Sequence, residues 1–493
     1  MSNILNSKVV IFIASEQKGF LIALADILER VHGLNTVIVA RDIHVKNLVK
    51  KLLPNRKNDI VVSDVKVCID ESRAIDEAKS IEKKYNINIA MLLSEDRSFG
   101  QGYLTNIEKI PDIIRASWPH QKKLVHFLKD FKKKEKILTN VKFVIQMWPT
   151  KTVTTITKSL GVKSFSFVAI KYGDRMFWSD NDYITSSRYI DNLEKFLKKS
   201  QLSAVDYMID SDADNVNKSV KYTYKDAIKQ ITSIVFNDTK NWVRKKQKKN
   251  SYHYLGWIPS VLRKVSNYNY ILSKSVTPDD LSGYKVVYFA LHLEPEVALQ
   301  NFSPEFNNSM EAIICISKSL PSDYILVVKE QALSYGIRSK WYYNQLIKIP
   351  NVVLAHPDTD SWKWIELSEI VATITGTVGQ EAVHFEKPVI SFGKHQIINH
   401  LPTVFFVSNY FETEISVNKI IKKPLSKVDY HQSRVALLHA QLESSIDIPE
   451  YKDAFKSVKL EASMAVKALH NMSNEHPELL PSEDVACKIS QVD

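Results

Sequence analysis

Cysteine is nearly missing. Cys68, Cys315 and Cys487 are the only three in 493 residues, widely scattered and in no CxxC pairing. That excludes a disulfide framework and a thiolate zinc site, and it fits a reducing compartment. Long apolar runs are missing as well. The run 9–14 ends at Ser15-Glu16-Gln17-Lys18, too short for a secretory h-region. No segment approaches the roughly 18 apolar residues that a membrane span requires. A cytoplasmic location is expected. No zinc finger, RNP-type strand or helix-turn-helix is recognisable, so nucleic acid is not the expected partner. There is no internal repeat or low-complexity block. No Asp-x-Asp pair stands convincingly on a strand end; Asp212-Ala213-Asp214 and Asp358-Thr359-Asp360 occur, but in polar turns. Such turns are ordinarily only turns, so no essential metal and no cofactor are expected.

What is present is a soluble-protein composition with an excess of base. Sixty-six Lys and Arg stand against 55 Asp and Glu, a net charge of +11, which favours an anionic partner without choosing one. The length predicts two or three domains. In residues 1–184, apolar runs at 8–14, 36–41, 60–69, 87–93, 141–147 and 164–169 read as strands. Helical periodicity fills the intervals at 20–31, 71–85, 120–133 and 150–160. Residues 285–425 repeat the alternation, with strands at 286–291, 324–329, 351–356, 370–375 and 389–392. Alternation of this kind predicts two mostly parallel, doubly wound sheets covered by helices. Between them, 185–284 reads as a charged helical and aromatic insertion. The segment 426–472 reads as one long closing helix, and 473–493 as a poorly ordered tail.

The most informative segment runs from Ile370 to Gly393. Gly376 and Gly379 bracket a turn directly after a buried strand, where positive φ or a close ligand approach is expected. The helix that follows would offer free N–H groups to an anion. Thr375 and Thr377 add hydroxyls, and Glu381 in the first turn suits ribose hydroxyls better than phosphate. An ordinary β–α turn is the bland alternative. Lys329 and Arg338 are candidate phosphate ligands. His292, Glu294 and Glu296 follow the first strand of the second half. In the first half, Glu95, Asp96 and Arg97 follow the strand expected at 87–93. An acid there could act as base or nucleophile, or could merely cap the next helix.

The string Thr375-Gly376-Thr377-Val378-Gly379-Gln380-Glu381-Ala382, continued by Lys387-Pro388-Val389-Ile390-Ser391-Phe392-Gly393, resembles the donor-site region of the bacterial capsule polysaccharide biosynthesis family, which includes Kdo transferases. Leu291-His292-Leu293-Glu294-Pro295-Glu296, Lys329-Glu330 and Gly336-Ile337-Arg338 extend the resemblance. Two positions depart from it. Glu386 stands where that family usually has glycine, and Gln331-Ala332 replaces its usual His-Pro after Lys-Glu.

The resemblance implies a GT-B architecture: two Rossmann-like domains facing a cleft, closed by a C-terminal helix. It implies a nucleotide-sugar donor, CMP-activated as for the Kdo transferases, held by Lys329, Arg338, Thr375, Gly376, Thr377, Gly379 and Glu381. Asp96 is the first catalytic candidate, as nucleophile, with Glu95 and His292 beside it; Arg97 and Glu294 belong to the acceptor side. The expected activity is glycosyl transfer to a glycan or lipid-linked glycan acceptor in capsule or lipopolysaccharide synthesis. A nucleotide-sugar epimerase or hydrolase of the same fold, or a non-catalytic export protein, are the alternatives. The basic run from Arg244 to Lys249, set among Trp242, Tyr252, Tyr254 and Trp257, suits an anionic membrane surface and a peripheral place at the inner membrane. A solvated helix is the plainer reading of that run.

Overall fold

The computed structural model describes residues 8–13, 17–41, 43–56, 59–62, 71–94, 121–199, 202–203, 222–243, 258–292, 299, 303–306, 308–331, 334–335, 338–449 and 451–480. The first sheet takes β1 (Lys8–Ile13), β2 (Thr36–Ala40), β3 (Ile60–Val62), β4 (Val141–Gln146), β5 (Lys163–Ala169) and β6 (Arg175–Ser179). The second takes β7 (Ser275–Val276), β8 (Lys285–Ala290), β9 (Tyr324–Lys329), β10 (Val352–Ala355), β11 (Ile370–Thr373), β12 (Val389–Ser391) and β13 (Val404–Phe406). A last strand, β14 (Ile446–Asp447), returns to the first sheet.

The strand orders are β14-β6-β5-β4-β1-β2-β3 and β13-β12-β11-β8-β9-β10-β7. From β1 in the first sheet and β8 in the second, the chain winds outward on one side, then crosses to the other; β7, which precedes β8, adds to the outer edge beside β10. The reversal falls between β1 and β4 in the first sheet and between β8 and β11 in the second. All pairings in the second sheet are parallel. In the first sheet only β6 is reversed, pairing antiparallel with both β5 and β14. Helices cover both faces, so central strands such as β2 and β11 are buried along their whole length. That is why they read as unbroken apolar runs rather than alternating ones.

The C-terminal segment ties the halves together. Helix Lys427–Glu443 contributes Ala436, Leu437, Leu438 and Ala440 to a core shared with Tyr189 and Leu193 of the first half and Val371 and Val389 of the second. Helix Ala462–Glu475 then packs on helix Lys18–Arg30, and the Trp178 indole donates to the Ala468 carbonyl at 2.8 Å. Two doubly wound domains cross-tied in this way form a GT-B-like α/β fold.

Several expected elements differ. Residues 87–93 are not a strand: Ile89–Ser94 is a helix. Asn86 ends the preceding helix in the left-handed region, the Asn88 side chain accepts from Ala90 N, and Glu82 accepts from Ile89 N. Ile89 and Leu92 are buried at a spacing of three, the helical period. The described strand within 60–69 is only β3. In place of one closing helix, 426–472 holds helix Lys427–Glu443, β14, helix Tyr451–Lys456 and helix Ala462–Glu475. Of the tail expected from 473, residues 473–480 are described and packed: Leu479 and Leu480 are buried, and Lys142 Nζ donates to the Leu479 carbonyl at 2.7 Å. The second sheet also reaches back to β7, inside the region expected to be an insertion.

Candidate functional site

In a doubly wound sheet a ligand sits beyond the carboxyl ends of the strands where the winding reverses. For the second sheet that place lies between β8 and β11. His292 follows β8 and the glycine turn follows β11, and the two meet there. Thr375 N donates to His292 Nε2 at 3.0 Å, and Gly376 N donates to Thr373 Oγ1 at 2.9 Å. With Nε2 accepting, the imidazole carries its proton on Nδ1. Burial pushes His292 down to about 3, with Arg338 adding to the effect, so the ring is neutral. His292, a catalytic candidate from the sequence, is thus a neutral, buried imidazole that orients a backbone amide.

Neither glycine adopts positive φ, contrary to expectation; that conformation occurs at Gly33, Gly161, Gly173 and Gly283. Their need for glycine is steric. A Cβ at Gly376 would sit 2.9 Å from Thr373 Oγ1 and 3.2 Å from His292 Nε2. At Gly379 it would meet Ile398 Cδ1 at 2.7 Å and Thr373 Cγ2 at 2.9 Å. These residues let helix Val378–His384 lie directly on β11.

That helix is short. Thr377, exposed, is its N-cap residue but makes no side-chain capping bond. Its C-terminus is a Schellman turn: Lys387 N donates to Ala382 O at 2.9 Å and Glu386 N to Val383 O at 3.0 Å. Glu386 has a φ of 55°, the left-handed conformation that favours glycine. A glycine at this position would adopt that conformation without strain. Here Glu386 is retained with a use of its own, accepting from His431 Nδ1 at 3.0 Å on helix Lys427–Glu443. Glu381, in the first turn, is buried, and burial raises its carboxyl to about 7. Trp362 and Thr377 partly oppose that rise, as does Lys171 from the first domain.

Lys329 ends β9 beside this junction. Burial lowers its ammonium, while Asp360, Glu330 and Asp358 draw it back up. Arg338 is not where a phosphate ligand should be. Its side chain is wholly buried. One guanidinium nitrogen lies 2.7 and 2.9 Å from the two Glu330 oxygens, and the other donates to the His292 carbonyl at 2.6 Å. The Tyr343 hydroxyl and Gln331 N complete the Glu330 carboxylate, each at 2.7 Å. Asn267 Nδ2 holds the Arg338 carbonyl at 2.6 Å. Arg338 is therefore a brace behind His292. The Asp358 and Asp360 pair has turn duties: Asp358 accepts from the Tyr268 hydroxyl at 2.7 Å, and Asp360 caps helix Ser361–Leu367 through Trp362 N at 2.8 Å. Glu95, Asp96, Arg97, Glu294 and Glu296 lie outside the described residues, as does the run from Arg244 to Lys249. The helix at Ile89–Ser94 removes the strand end from which Asp96 was expected to project.

Sequence reasoning missed the contact between the domains. Tyr183, after β6, stacks on His395, after β12, with ring centroids 3.6 Å apart and planes 11° from parallel. Burial lowers the His395 imidazole, and Lys151 and Asp182 of the first domain are among the charges acting on it. Gln396 donates to Ile374 O, and Asn399 Nδ2 to Gly393 O at 2.7 Å, so the loop carrying His395 is fixed to the glycine turn. The available signal was adjacency, since His395 comes two residues after Gly393.

No family model and no curated protein matches the sequence. Among solved structures, similarity extends to the Thermosulfurimonas dismutans KpsC β-Kdo 2,7 transferase at 12% identity, with 70% of this chain and 89% of that one covered and a TM-score of 0.33. A putative UDP-N-acetylglucosamine 2-epimerase from Listeria monocytogenes is similar at 11% identity, with 96% and 97% covered and a TM-score of 0.27. A glycosyltransferase from Rickettsia africae is similar at 11% identity, with 97% and 99% covered and a TM-score of 0.29. The fold of this chain is read from its own strand orders, and activity is not transferred across similarity this low.

Proposed function

We propose that this chain is a GT-B glycosyltransferase of bacterial surface polysaccharide assembly, using a nucleotide-sugar donor. One observation carries the proposal. At the β8/β11 junction two buried polar atoms, His292 Nδ1 and Thr375 Oγ1, have no protein partner. A buried donor left unpaired costs about 1–3 kcal/mol, so two of them on residues that meet at one junction favour a ligand that completes them. Both can donate, and donors at this point of the fold suit phosphate oxygens. Lys329 adds the charge that offsets the departing nucleotide, and Thr377 adds an exposed hydroxyl. Glu381 is proposed to accept from ribose hydroxyls. The acceptor is assigned to the first-domain side, with Glu294, Glu95 and Arg97 near it and Asp96 as nucleophile or base. The donor proposed from the sequence resemblance is a CMP-activated ulosonic acid of the Kdo type.

Thermal stabilisation by CMP, UDP, GDP and their sugar conjugates tests the site. A nucleotide at about a hundred times its dissociation constant should stabilise the chain by about 2.7 kcal/mol. Gly376→Val, which fills the space beside Thr373 and His292, should abolish that response. Failure of every nucleotide to stabilise the wild-type chain would sink the proposal. Asp96→Asn should keep nucleotide binding and lose transfer. Release of an epimer or free sugar without acceptor would identify the enzyme as an epimerase or hydrolase instead.

A further inference from the structure

The helix Tyr224–Val243 packs one face on helix Ile258–Leu272, with Ala227, Ile231 and Ile234 set against Val261 and Val265. The adjoining face is apolar yet open to solvent. Tyr224, Ile228, Val235 and Phe236 are 60, 62, 43 and 67% exposed. At about 100° per residue, Tyr224, Ile228 and Val235 fall within a sector of about 40°. Lys225, Phe236 and Lys229 follow within about 100° beyond it, and Asp226 lies outside the whole arc. The exposed arc of the described side chains thus joins apolar groups to cations and holds no carboxylate.

We propose that this face lies on an anionic lipid surface, with the helix in the plane of the interface. The distribution is that of an interfacial helix, with apolar side chains entering the acyl boundary and lysines beside them meeting headgroups. Charge decides the occupant. The chain carries +11 overall, and its sequence continues past this helix into the basic run from Arg244 to Lys249. A second copy packed on the same face would set Lys225 and Lys229 against their own kind, whereas a bilayer of anionic lipid neutralises them. No helix among the described residues is long and apolar enough to cross a membrane, so the contact is with one leaflet. The inference is independent of the donor site.

Cosedimentation of the full chain with phosphatidylcholine vesicles, with and without phosphatidylglycerol, tests it. The wild-type chain should bind the anionic vesicles and leave the neutral ones, and added salt should weaken binding. Tyr224→Asp/Ile228→Asp should lower the affinity at least about tenfold, since it removes two inserting groups and adds two charges. Lys225→Glu/Lys229→Glu, which alters only exposed side chains, should lower it comparably and guards against misfolding of the first variant. Absence of binding to anionic vesicles, or equal binding by all three chains, overturns the proposal. So does a wild-type dimer by light scattering that Tyr224→Asp/Ile228→Asp converts to a monomer without any vesicle binding.

Discussion

Arg338→Met is expected to destabilise the protein by about 3–5 kcal/mol, because it strands the Glu330 carboxylate in a site from which water is excluded. Both partners are essentially unexposed, at 0 and 2% of their side-chain surface. Burial pushes the Glu330 carboxyl upward, and Arg338, the Tyr343 hydroxyl and Gln331 N oppose that by favouring the charge. Removing the guanidinium takes away the strongest of these and also frees the His292 carbonyl. The loss comes from the orphaned charge more than from the pair itself. Replacing the whole group, as Arg338→Met/Glu330→Leu/Tyr343→Phe, should therefore recover most of the stability. Denaturant midpoints of the single and triple variants give the comparison. If Arg338 contacted phosphate, the single variant would keep its stability and lose only nucleotide binding; that result would overturn its assignment as a brace.

The case of Arg338 shows where sequence reading stops. Lys329, Glu330 and Arg338 were all visible as a charged constellation near strand ends, but whether a charge faces water depends on what closes over it. Here the loop is closed by Asn267, from a helix about seventy residues earlier in the chain. The glycine turn was legible because its constraints are local: β11, the turn and the helix on it span few residues. Even there the demand for glycine comes from steric contact with Thr373 and Ile398 and not from backbone conformation. The run 87–93 was too short for its period to separate strand from helix, and polar caps at Glu82 and Asn88 decided it. β7 and β14 have two residues each and exist through pairing with strands far along the chain, at Leu354–Ala355 and Arg175–Met176. No local pattern announces them. The Tyr183–His395 stack joins separate domains and was illegible for the same reason.

Glu381 gives the second large effect, as a pH dependence with a definite sign. Its carboxyl stands at about 7 in the folded chain against an ordinary 4.5, because burial disfavours the charge. A group whose folded value is raised contributes stability in full below the ordinary value and loses it as pH rises through the folded one. The total is about 3 kcal/mol, lost between about pH 4.5 and pH 7. His292 and His384 act oppositely: burial holds both down to about 3, so their contribution is present above about 6.5 and fades as pH falls. The wild-type profile therefore sums opposed slopes and is uninformative alone. Subtracting the profile of Glu381→Gln isolates the carboxyl. The wild-type advantage over that variant should shrink by about 3 kcal/mol from pH 4.5 to about pH 8. Ligand binding should add a second signature. Ribose hydroxyls donating to Glu381 favour its ionised form, so nucleotide binding should release a proton below about pH 7 and tighten as pH rises towards 7, levelling off above it. Glu381→Gln should bind with no such dependence. Calorimetry in buffers of different ionisation enthalpy measures the proton directly. A stability difference that stays flat with pH would show Glu381 to be solvated, and nucleotide binding without proton release would remove it from the ribose.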